Sequence, residues 1–149
     1  YKTEIKRIAH SHELTRNLQS IPGLGEIGAL TITAIVVDPS RFKKKQNFWS
    51  YCGLIRHDLI SGGRSYGKRK ARCSRQLKTV FKTAALTCII NKKDSNPLYI
   101  YYRDLICKKK YPEYQARHAL SMRIATLAFG VLKSNKALRH KELFAKVIT

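Results

Sequence analysis

Apolar residues recur at helical spacing over most of the chain. From Glu26 to Val37 they return every three or four positions, which predicts a helix with one buried face. The same period predicts a helix over about Lys43 to Cys52, with Gly53 as its C-cap. A longer helix is predicted over about Lys70 to Asn91. Its inward-facing residues are expected to be Leu77, Phe81, Ala84, Ala85 and Cys88.

Proline marks the start of two further helices. Asn96 followed by Pro97 is a capping residue followed by proline at the first helical position. Pro112 opens the last long helix, which keeps one apolar face to about Lys133. The residues from there to Thr149 are only weakly amphipathic.

The N-terminal segment carries a narrow apolar stripe that ends before Pro22. Its members are Ile5, Ile8, His12, Thr15 and Leu18. We interpret residues 1–19 as the end of a long helix or coiled coil from a missing N-terminal region, and residues 20–149 as a helical domain. Through such a coiled coil the full-length protein is expected to form a homo-oligomer, either a dimer or a tetramer.

The helical period breaks between Leu54 and Tyr66, where Gly62 and Gly63 stand side by side. This segment is expected to be an irregular loop or a short irregular hairpin. The sum of these patterns predicts an all-α, compact helical domain that is interrupted by one irregular basic loop.

The net charge of the chain indicates the kind of partner that it binds. The 149 residues include 30 Lys and Arg against 9 Asp and Glu, a formal net charge of +21. Because a hydrophobic content of 44% is that of a globular protein, the excess charge is expected on a folded surface. Nucleic acid is favoured over an anionic membrane as the partner, since no stretch approaches the ~20 apolar residues of a spanning helix.

The four cysteines do not have the spacing of a zinc site. They stand at positions 52, 73, 88 and 107 without a Cys-x-x-Cys pair, so no metal site is predicted in this chain. A chain of this size does not need disulfides, and its start shows no signal-peptide pattern. We therefore expect a cytoplasmic protein.

The stretch from Ile21 to Gly25, Ile-Pro-Gly-Leu-Gly, resembles the turn of a helix-hairpin-helix motif. Gly23 and Gly25 permit a tight turn whose N–H groups, with the start of the next helix, can hold a DNA phosphate. In the alternative interpretation the glycines only join two helices, and Ile21 and Leu24 belong to the core. Glu26 directly after the motif disfavours a phosphate there.

A basic run follows the helical break. No Asp or Glu occurs from Leu59 to Lys93, whereas a solvated helix face usually mixes both signs. The run is therefore predicted to track a polyphosphate, with Tyr66 as a possible stacking residue. The candidate nucleic-acid contacts are Gly62, Gly63, Arg64, Lys68, Arg69, Lys70, Arg72, Arg75 and Lys78.

Ser61 lies at the start of this run. A serine before two glycines is most often a turn residue, and its spacing does not identify a nucleophile. Phosphoryl chemistry would need an exposed hydroxyl with cations beside it, which Arg64, Lys68 and Arg69 can supply. It would also need a base or a metal ion. Nearby the chain offers only Asp58 and its neighbour His57, without an acidic cluster of metal-ligand spacing.

Four segments together resemble the C-terminal domain of the IS-one-ten family of insertion-sequence transposases, which is related to the Piv DNA invertases. The segments are IPGLGEIGALTITAIVVDPSRFKKKQNFWSYCGL, SGGRSYGK, LKTVFKTAAL and PLYIYYRDLICKKK. The resemblance runs from about Leu18 to Lys133. It implies a DNA transposase or site-specific serine recombinase in which Ser61 attacks a DNA phosphodiester.

The resemblance also implies parts that this chain does not contain. In the family a RuvC-like N-terminal domain supplies an acidic tetrad and a divalent metal, expected to be Mg²⁺, and a bridge RNA pairs with donor and target DNA. The isolated chain is therefore expected to bind nucleic acid and to be inactive or nearly so. Its expected setting is the prokaryotic cytoplasm, at the nucleoid during transposition.

The sequence departs from the family pattern at two places. Ile60 stands where many members have a first serine, which makes Ser61 the serine that matches. The stretch from Arg72 to Gln76 replaces the usual Ser-Lys-x-Gly-Asn and leaves Ser65 and Ser74 as rival nucleophiles. Two other functions stay open: a non-enzymatic helix-hairpin-helix module that binds nucleic acid, and a structural RNA-binding protein of ribosomal type.

Overall fold

A long helix near the C-terminus, Glu113–Ser134, runs through the centre of the fold. The structure is a computed structural model that describes residues 2–69, 73–139 and 141–142. In chain order its elements are α1 (Lys2–Ser11), α2 (Glu13–Gln19), α3 (Glu26–Val36), a 3₁₀ turn (Pro39–Arg41), α4 (Lys45–Tyr51), β1 (His57–Ser61), β2 (Arg64–Arg69), α5 (Arg75–Ile90), α6 (Pro97–Cys107) and α7 (Glu113–Ser134). Helices α2, α4, α5 and α6 all pack on α7.

α7 is the most deeply buried helix of the described chain. Its buried residues are Ala116, Leu120, Ser121, Ile124, Ala125, Leu127, Ala128, Val131 and Leu132. They extend beyond a single helical stripe, because α7 has neighbours on several sides. The apolar face that the sequence predicted for this helix is confirmed, and so are the five inward-facing residues predicted for α5.

Aromatic rings hold α4 against the two longest helices. The fully buried Phe48 of α4 stacks on Phe129 of α7, with 5.4 Å between ring centroids. It also meets Phe81 of α5 edge to face at 6.0 Å and Phe42 at 5.4 Å. Replacing a buried phenylalanine by alanine costs about 3–5 kcal/mol, so this cluster is a main anchor of the fold.

Several predicted helix ends are confirmed. The Asn96 side chain accepts a hydrogen bond from the Leu98 amide at 3.0 Å, and Pro97 is the first residue of α6. Gly53 follows α4 with φ +68°, the left-handed conformation that commonly ends a helix.

α5 begins later than its sequence pattern predicted. The Ser74 hydroxyl accepts a hydrogen bond from the Leu77 amide at 3.3 Å and thereby caps the helix at Arg75. The predicted start at Lys70 lies outside the described residues, and so does Arg72.

The predicted N-terminal helix is two helices. The chain becomes extended at His12, with φ −99° and ψ 114°, and this break separates α1 from α2. α2 belongs to the same core as the rest of the domain, because Thr15 and Leu18 are buried and the Thr15 hydroxyl lies 3.2 Å from that of Thr33 in α3. The apolar stripe of the N-terminal segment continues through His12 at helical spacing, so it did not indicate this break.

The mostly helical fold is confirmed, and of the two alternatives predicted after Leu54, an irregular loop or a short irregular hairpin, the structure shows the hairpin. Its strands β1 and β2 are antiparallel. Gly62 with φ +57° and Gly63 with φ +76° form the turn between them. Two consecutive residues with positive φ are the mark of a type I′ turn, whose twist suits a two-residue hairpin.

In the part of the chain that the structure describes, no helix is both long and apolar enough to cross a membrane. Half of the weakly amphipathic tail predicted after Lys133, residue 140 and residues 143–149, lies outside the described residues.

The glycine turn between α2 and α3 packs against α5. Gly23 has φ +89°, and a Cβ atom there would lie 2.5 Å from the Ala84 carbonyl oxygen and 2.6 Å from the Cys88 sulfur. The Cys88 thiol donates a hydrogen bond to the Pro22 carbonyl at 3.2 Å. Gly25, at the start of α3, has no atom within 4 Å of such a position. Gly23 therefore allows a close contact between the turn and α5 that no other residue type permits.

These contacts predict unequal effects at the two glycines. Gly23→Ala should lower the free energy of unfolding by about 2–4 kcal/mol, because it combines backbone strain with a clash against α5. Gly25→Ala, at an open position with φ −80°, should cost less than about 1 kcal/mol. Urea denaturation of both variants measures this, and equal losses would contradict the packing role of Gly23.

Candidate nucleic-acid interface and the Ser61 hairpin

The pairing of β1 with β2 places Ser61 directly beside the turn. The cross-strand pairs are Ser61 with Arg64, Ile60 with Ser65, Asp58 with Lys68 and His57 with Arg69. Cross-strand partners point to the same face of a hairpin, and successive residues of one strand point to opposite faces. Ser61 and Arg64 therefore share one face, whereas Ser65 lies on the other.

This register separates the three cations that were expected to surround Ser61. Arg64 is the direct cross-strand partner of Ser61, so the two side chains project from the same face of the hairpin beside the turn. Lys68 pairs with Asp58, three residues before Ser61, and both belong to the opposite face. Arg69 is placed at the far end of the hairpin, opposite His57. Arg64 is thus the predicted phosphate contact that the structure brings next to Ser61.

A bulge in β2 causes this separation. Between the Asp58–Lys68 pair and the Ile60–Ser65 pair, β1 advances two residues and β2 advances three. The extra residue is accommodated next to Gly67, whose φ of +105° favours glycine. Without the bulge, strand alternation would turn Lys68 towards the face of Ser61.

The hairpin projects from the helical body. From Arg56 to Lys68 every side chain whose burial is described is exposed, including Ile60 at 69% and Tyr66 at 68%. At its base the Ser74 amide donates a hydrogen bond to the Tyr51 carbonyl at 2.8 Å, which closes the excursion between α4 and α5. Ser61 thus stands on an exposed backbone at the tip of a projection.

The carboxylate nearest to Ser61 in the hairpin does not share its face. Asp58 is on the opposite face of the hairpin, and nowhere in the described chain do three or more His, Cys, Asp or Glu side chains form a metal-binding group. The described residues therefore do not form a site for a divalent metal. Burial raises the pKa of the Cys52 and Cys88 thiols, so neither thiol competes as a nucleophile near neutral pH.

A basic groove begins at the base of the hairpin, between α5 and α7. Arg75, Lys78 and Lys82 follow one another along α5, and Lys82 lines the groove. Across from Lys82, α7 contributes Arg117 and His118. The groove therefore continues the positive charge of the hairpin onto the helical body. Its remaining wall comprises Ala85, Leu86, Tyr114 and Ser121.

The surroundings of His118 disfavour its charged form. Burial lowers its pKa first, and the charges of Lys82 and Lys78 lower it further. A hydrogen bond to the Leu54 carbonyl, at the base of the hairpin, acts in the opposite direction. The pKa of His118 therefore lies below its ordinary value while the groove holds no anion.

The two glycines of the predicted phosphate site differ in their surroundings. Gly23 is half-buried against α5, which supports the interpretation of a tight turn in which Ile21 and Leu24 are core residues. Gly25 is exposed at the N-terminus of α3, and no side chain caps that helix. Gly25 is therefore the better placed of the two glycines for a phosphate, and this role stays a prediction.

A profile of the Transposase IS116/IS110/IS902 family matches residues 15–102, which is more than half of the chain. The chain belongs to this family. The matched region begins in α2 and ends in α6, and it includes the glycine turn, the whole hairpin and α5. The family resemblance read from the sequence is confirmed.

One curated relative is the transposase for insertion sequence element IS1111A of Coxiella burnetii (strain RSA 493 / Nine Mile phase I). It is 30% identical to this chain over 104 residues. That alignment covers 67% of the chain and 29% of the relative. The chain therefore spans less than a third of the relative that it matches.

Sequence reasoning missed Arg117 and His118 in this transposase-family chain. They lie more than thirty residues after Lys82 in the sequence, and only the packing of α7 on α5 brings them together. A helical projection gives a partial signal, because both residues lie off the buried face of α7 and one of them is cationic.

The hairpin turn gives a prediction at Gly62. Gly62→Val should disrupt the hairpin, because a β-branched residue disfavours positive φ, whereas Gly62→Asn should preserve it. Both variants should keep the stability of the domain within about 0.5 kcal/mol, since the hairpin lies outside the core. Cross-strand NMR contacts between Ile60 and Ser65, measured with thermal unfolding, check this. A large loss of stability in either variant would show that the hairpin is coupled to the core.

His118 gives a prediction about pH. A DNA phosphate in the groove would offset the charges of Lys82 and Lys78 and thereby raise the pKa of His118, so binding would take up a proton. DNA affinity should therefore rise as pH falls from about 7.5 to 5.5. The rise should be smaller in His118→Gln than in a control, His12→Gln, at the break between α1 and α2. Equal pH dependence of DNA affinity in both variants would show that His118 does not contribute to the interface.

Proposed function

We propose that this chain is the part of a DNA transposase that supplies the serine nucleophile, Ser61, for strand cleavage and rejoining. Family membership supports a transposase of insertion-sequence type. The observation that carries the assignment to Ser61 is its position: an exposed hydroxyl at the tip of a projecting hairpin, paired with Arg64, in a run without acidic residues.

In the proposed reaction the Ser61 oxygen attacks the phosphorus of a DNA phosphodiester. The serine proton passes to a base, one P–O bond to the sugar breaks, and the departing sugar oxygen takes up a proton. The resulting phosphoserine ester keeps the phosphate joined, so attack by the hydroxyl of another strand restores a phosphodiester and frees Ser61. No nucleotide cofactor is consumed.

Arg64 stabilises the charge that develops on the phosphate in this proposal. A guanidinium can donate two parallel hydrogen bonds to phosphate oxygens, and across the turn it leaves the same face as Ser61. The cations of α5, Arg75 and Lys78, then hold the DNA backbone on either side of the reacting phosphate. Gly25 adds a backbone phosphate contact away from the hairpin.

The other components that the proposed reaction needs are assigned to parts of the complex outside this chain. Because Asp58 lies on the face opposite Ser61 and the described residues form no metal-binding group, we assign the proton acceptor and Mg²⁺ to a RuvC-like domain, as the family resemblance implies. A bridge RNA, assembly into a dimer or tetramer, and action at the prokaryotic nucleoid complete the proposal. The isolated chain would bind DNA without exchanging strands.

The test uses a full-length transposase that carries this chain, with its RNA, Mg²⁺ and a nicked substrate that prevents rejoining. Ser61→Ala should reduce a protein–DNA adduct on a denaturing gel by at least about 1,000-fold, because it removes the nucleophile. Ser65→Ala is the matched control, since Ser65 lies in the same hairpin on the opposite face and should leave the adduct intact.

Two results would contradict the assignment. An adduct that persists in Ser61→Ala but disappears in Ser65→Ala or Ser74→Ala would move the nucleophile to that serine. DNA binding without an adduct in any of these proteins would favour the non-enzymatic binding module. Ser74→Ala also removes the cap of α5, so its unfolding transition must be measured beside its activity.

A further inference from the structure

A second basic surface lies on the helical body, at the opposite end of α4 from the hairpin. Lys43, Lys44 and Lys45 stand at the N-terminal end of α4, whereas the hairpin leaves its C-terminal end. They border a groove between α4, α6 and α7, which we call the lysine groove. Its wall contains Trp49, Tyr101 and Arg123.

The three lysines have no acidic partner. All are exposed, and no carboxylate of the described residues comes within 4.0 Å of them. The carboxylate of Asp38, before the 3₁₀ turn, already accepts hydrogen bonds from the Ser40 amide and hydroxyl at 2.8 and 2.7 Å. Three adjacent positive charges at one rim repel one another, and a bound polyanion relieves that repulsion.

Aromatic rings and cations alternate along the lysine groove. The Lys45 ammonium lies 5.4 Å from the Trp49 ring, and the Arg123 guanidinium lies 5.2 Å from the Tyr101 ring. The Trp49 indole N–H donates to the Thr126 hydroxyl at 3.2 Å, which fixes the ring. The groove thus presents planar, half-buried groups beside the charges that attract phosphate.

This combination distinguishes single strands from other polyanions. A DNA duplex keeps its bases stacked inside and presents phosphates, for which lysines alone suffice. A single strand also exposes the flat faces of its bases, and these stack on aromatic rings and guanidinium groups. An acidic protein segment would satisfy the lysines but leave the rings without a role.

We propose that the lysine groove binds a single polynucleotide strand. The phosphates lie on Lys43, Lys44 and Lys45, and the bases lie against Trp49, Tyr101 and the Arg123 guanidinium. This site is separate from Ser61 and does not depend on its chemistry. DNA and RNA share the chemistry that the groove recognises, so the test includes both.

Trp49 provides a direct reporter, because it is the single tryptophan of the chain. The 149-residue chain is titrated with oligothymidylate of about 12 nucleotides, within the ~4–16 nucleotides that single-strand sites cover. Parallel titrations use oligouridylate of the same length and a duplex of the oligothymidylate with its complement. We expect the single strands to quench Trp49 emission and the duplex to leave it nearly unchanged. The tighter of the two single strands then identifies DNA or RNA as the source of the ligand.

The matched variants are two triple substitutions that remove equal charge. Lys43→Ala, Lys44→Ala and Lys45→Ala together should weaken single-strand affinity at least about tenfold and reduce the salt slope by about 2, at ~0.7 per phosphate. Lys108→Ala, Lys109→Ala and Lys110→Ala remove another exposed lysine triplet, which follows α6. That variant should stay within about threefold of the unchanged chain. Anisotropy of a labelled strand measures both affinities.

Three results would overturn the proposal. Equal loss of affinity in the two triple variants would show binding by net charge alone. A duplex that binds the groove as tightly as a single strand and quenches Trp49 equally would exclude a single-strand site. Displacement of the strand by polyglutamate at equal charge would favour an acidic protein partner. Ser61→Ala should leave every one of these titrations unchanged, which keeps this test separate from that of the nucleophile.

Discussion

The burial of Phe48 is the contact on which the positions of both basic surfaces depend. This ring lies between Phe129 of α7 and Phe81 of α5 and fixes the short helix α4 in the core. α4 has seven residues and is therefore only about 10 Å long. Its C-terminal end leads into the Ser61 hairpin, and its N-terminal end carries the three lysines. A shift of Phe48 would displace the two surfaces together, and it would also disturb Phe129, which stacks on this ring and lines the lysine groove.

The cations of this chain lie on its surface because the apolar core excludes charged groups. The chain carries 30 Lys and Arg and only 9 Asp and Glu, so most cations cannot find an acidic partner within the domain. The ion pairs of the described residues are exposed at the surface, where each contributes about 0–1 kcal/mol. Binding a polyanion therefore stabilises the fold by mass action as well as by relief of repulsion. Cations lie at the hairpin, along α5, at the start of α4 and after α6, on surfaces that the packing of the helices leaves open.

The sequence predicts the core of this fold well and its exposed parts poorly. Leu77 and Phe81 were assigned to the core from helical spacing alone, because burial of one helix face imposes that spacing. The hairpin has no buried face, so β1 and β2 show no alternation that would have identified them as strands. The break at His12 also lacked a local signal, because His12 caps α2 without a side-chain hydrogen bond and no glycine stands there.

The candidate site shows the same limit. Its members could be listed from the basic run and the family resemblance, but their mutual positions depend on register. One extra residue in β2 moves Lys68 to the face opposite Ser61, and a composition argument does not detect such a shift. His118 joins the site only through the packing of α7 on α5, which places distant segments side by side.

The isolation of the hairpin bears on how the proposed reaction is controlled. A two-stranded hairpin without support from a core is marginally stable in water, and Ile60 and Tyr66 leave apolar surface exposed on this one. Binding to DNA or to another protein domain would cover that surface and order the strands. The same event would bring to Ser61 the proton acceptor that the proposal assigns to another domain. The domain would thus keep its nucleophile unreactive until the complex is assembled, because the positioning of Ser61 and its activation would depend on the same contact.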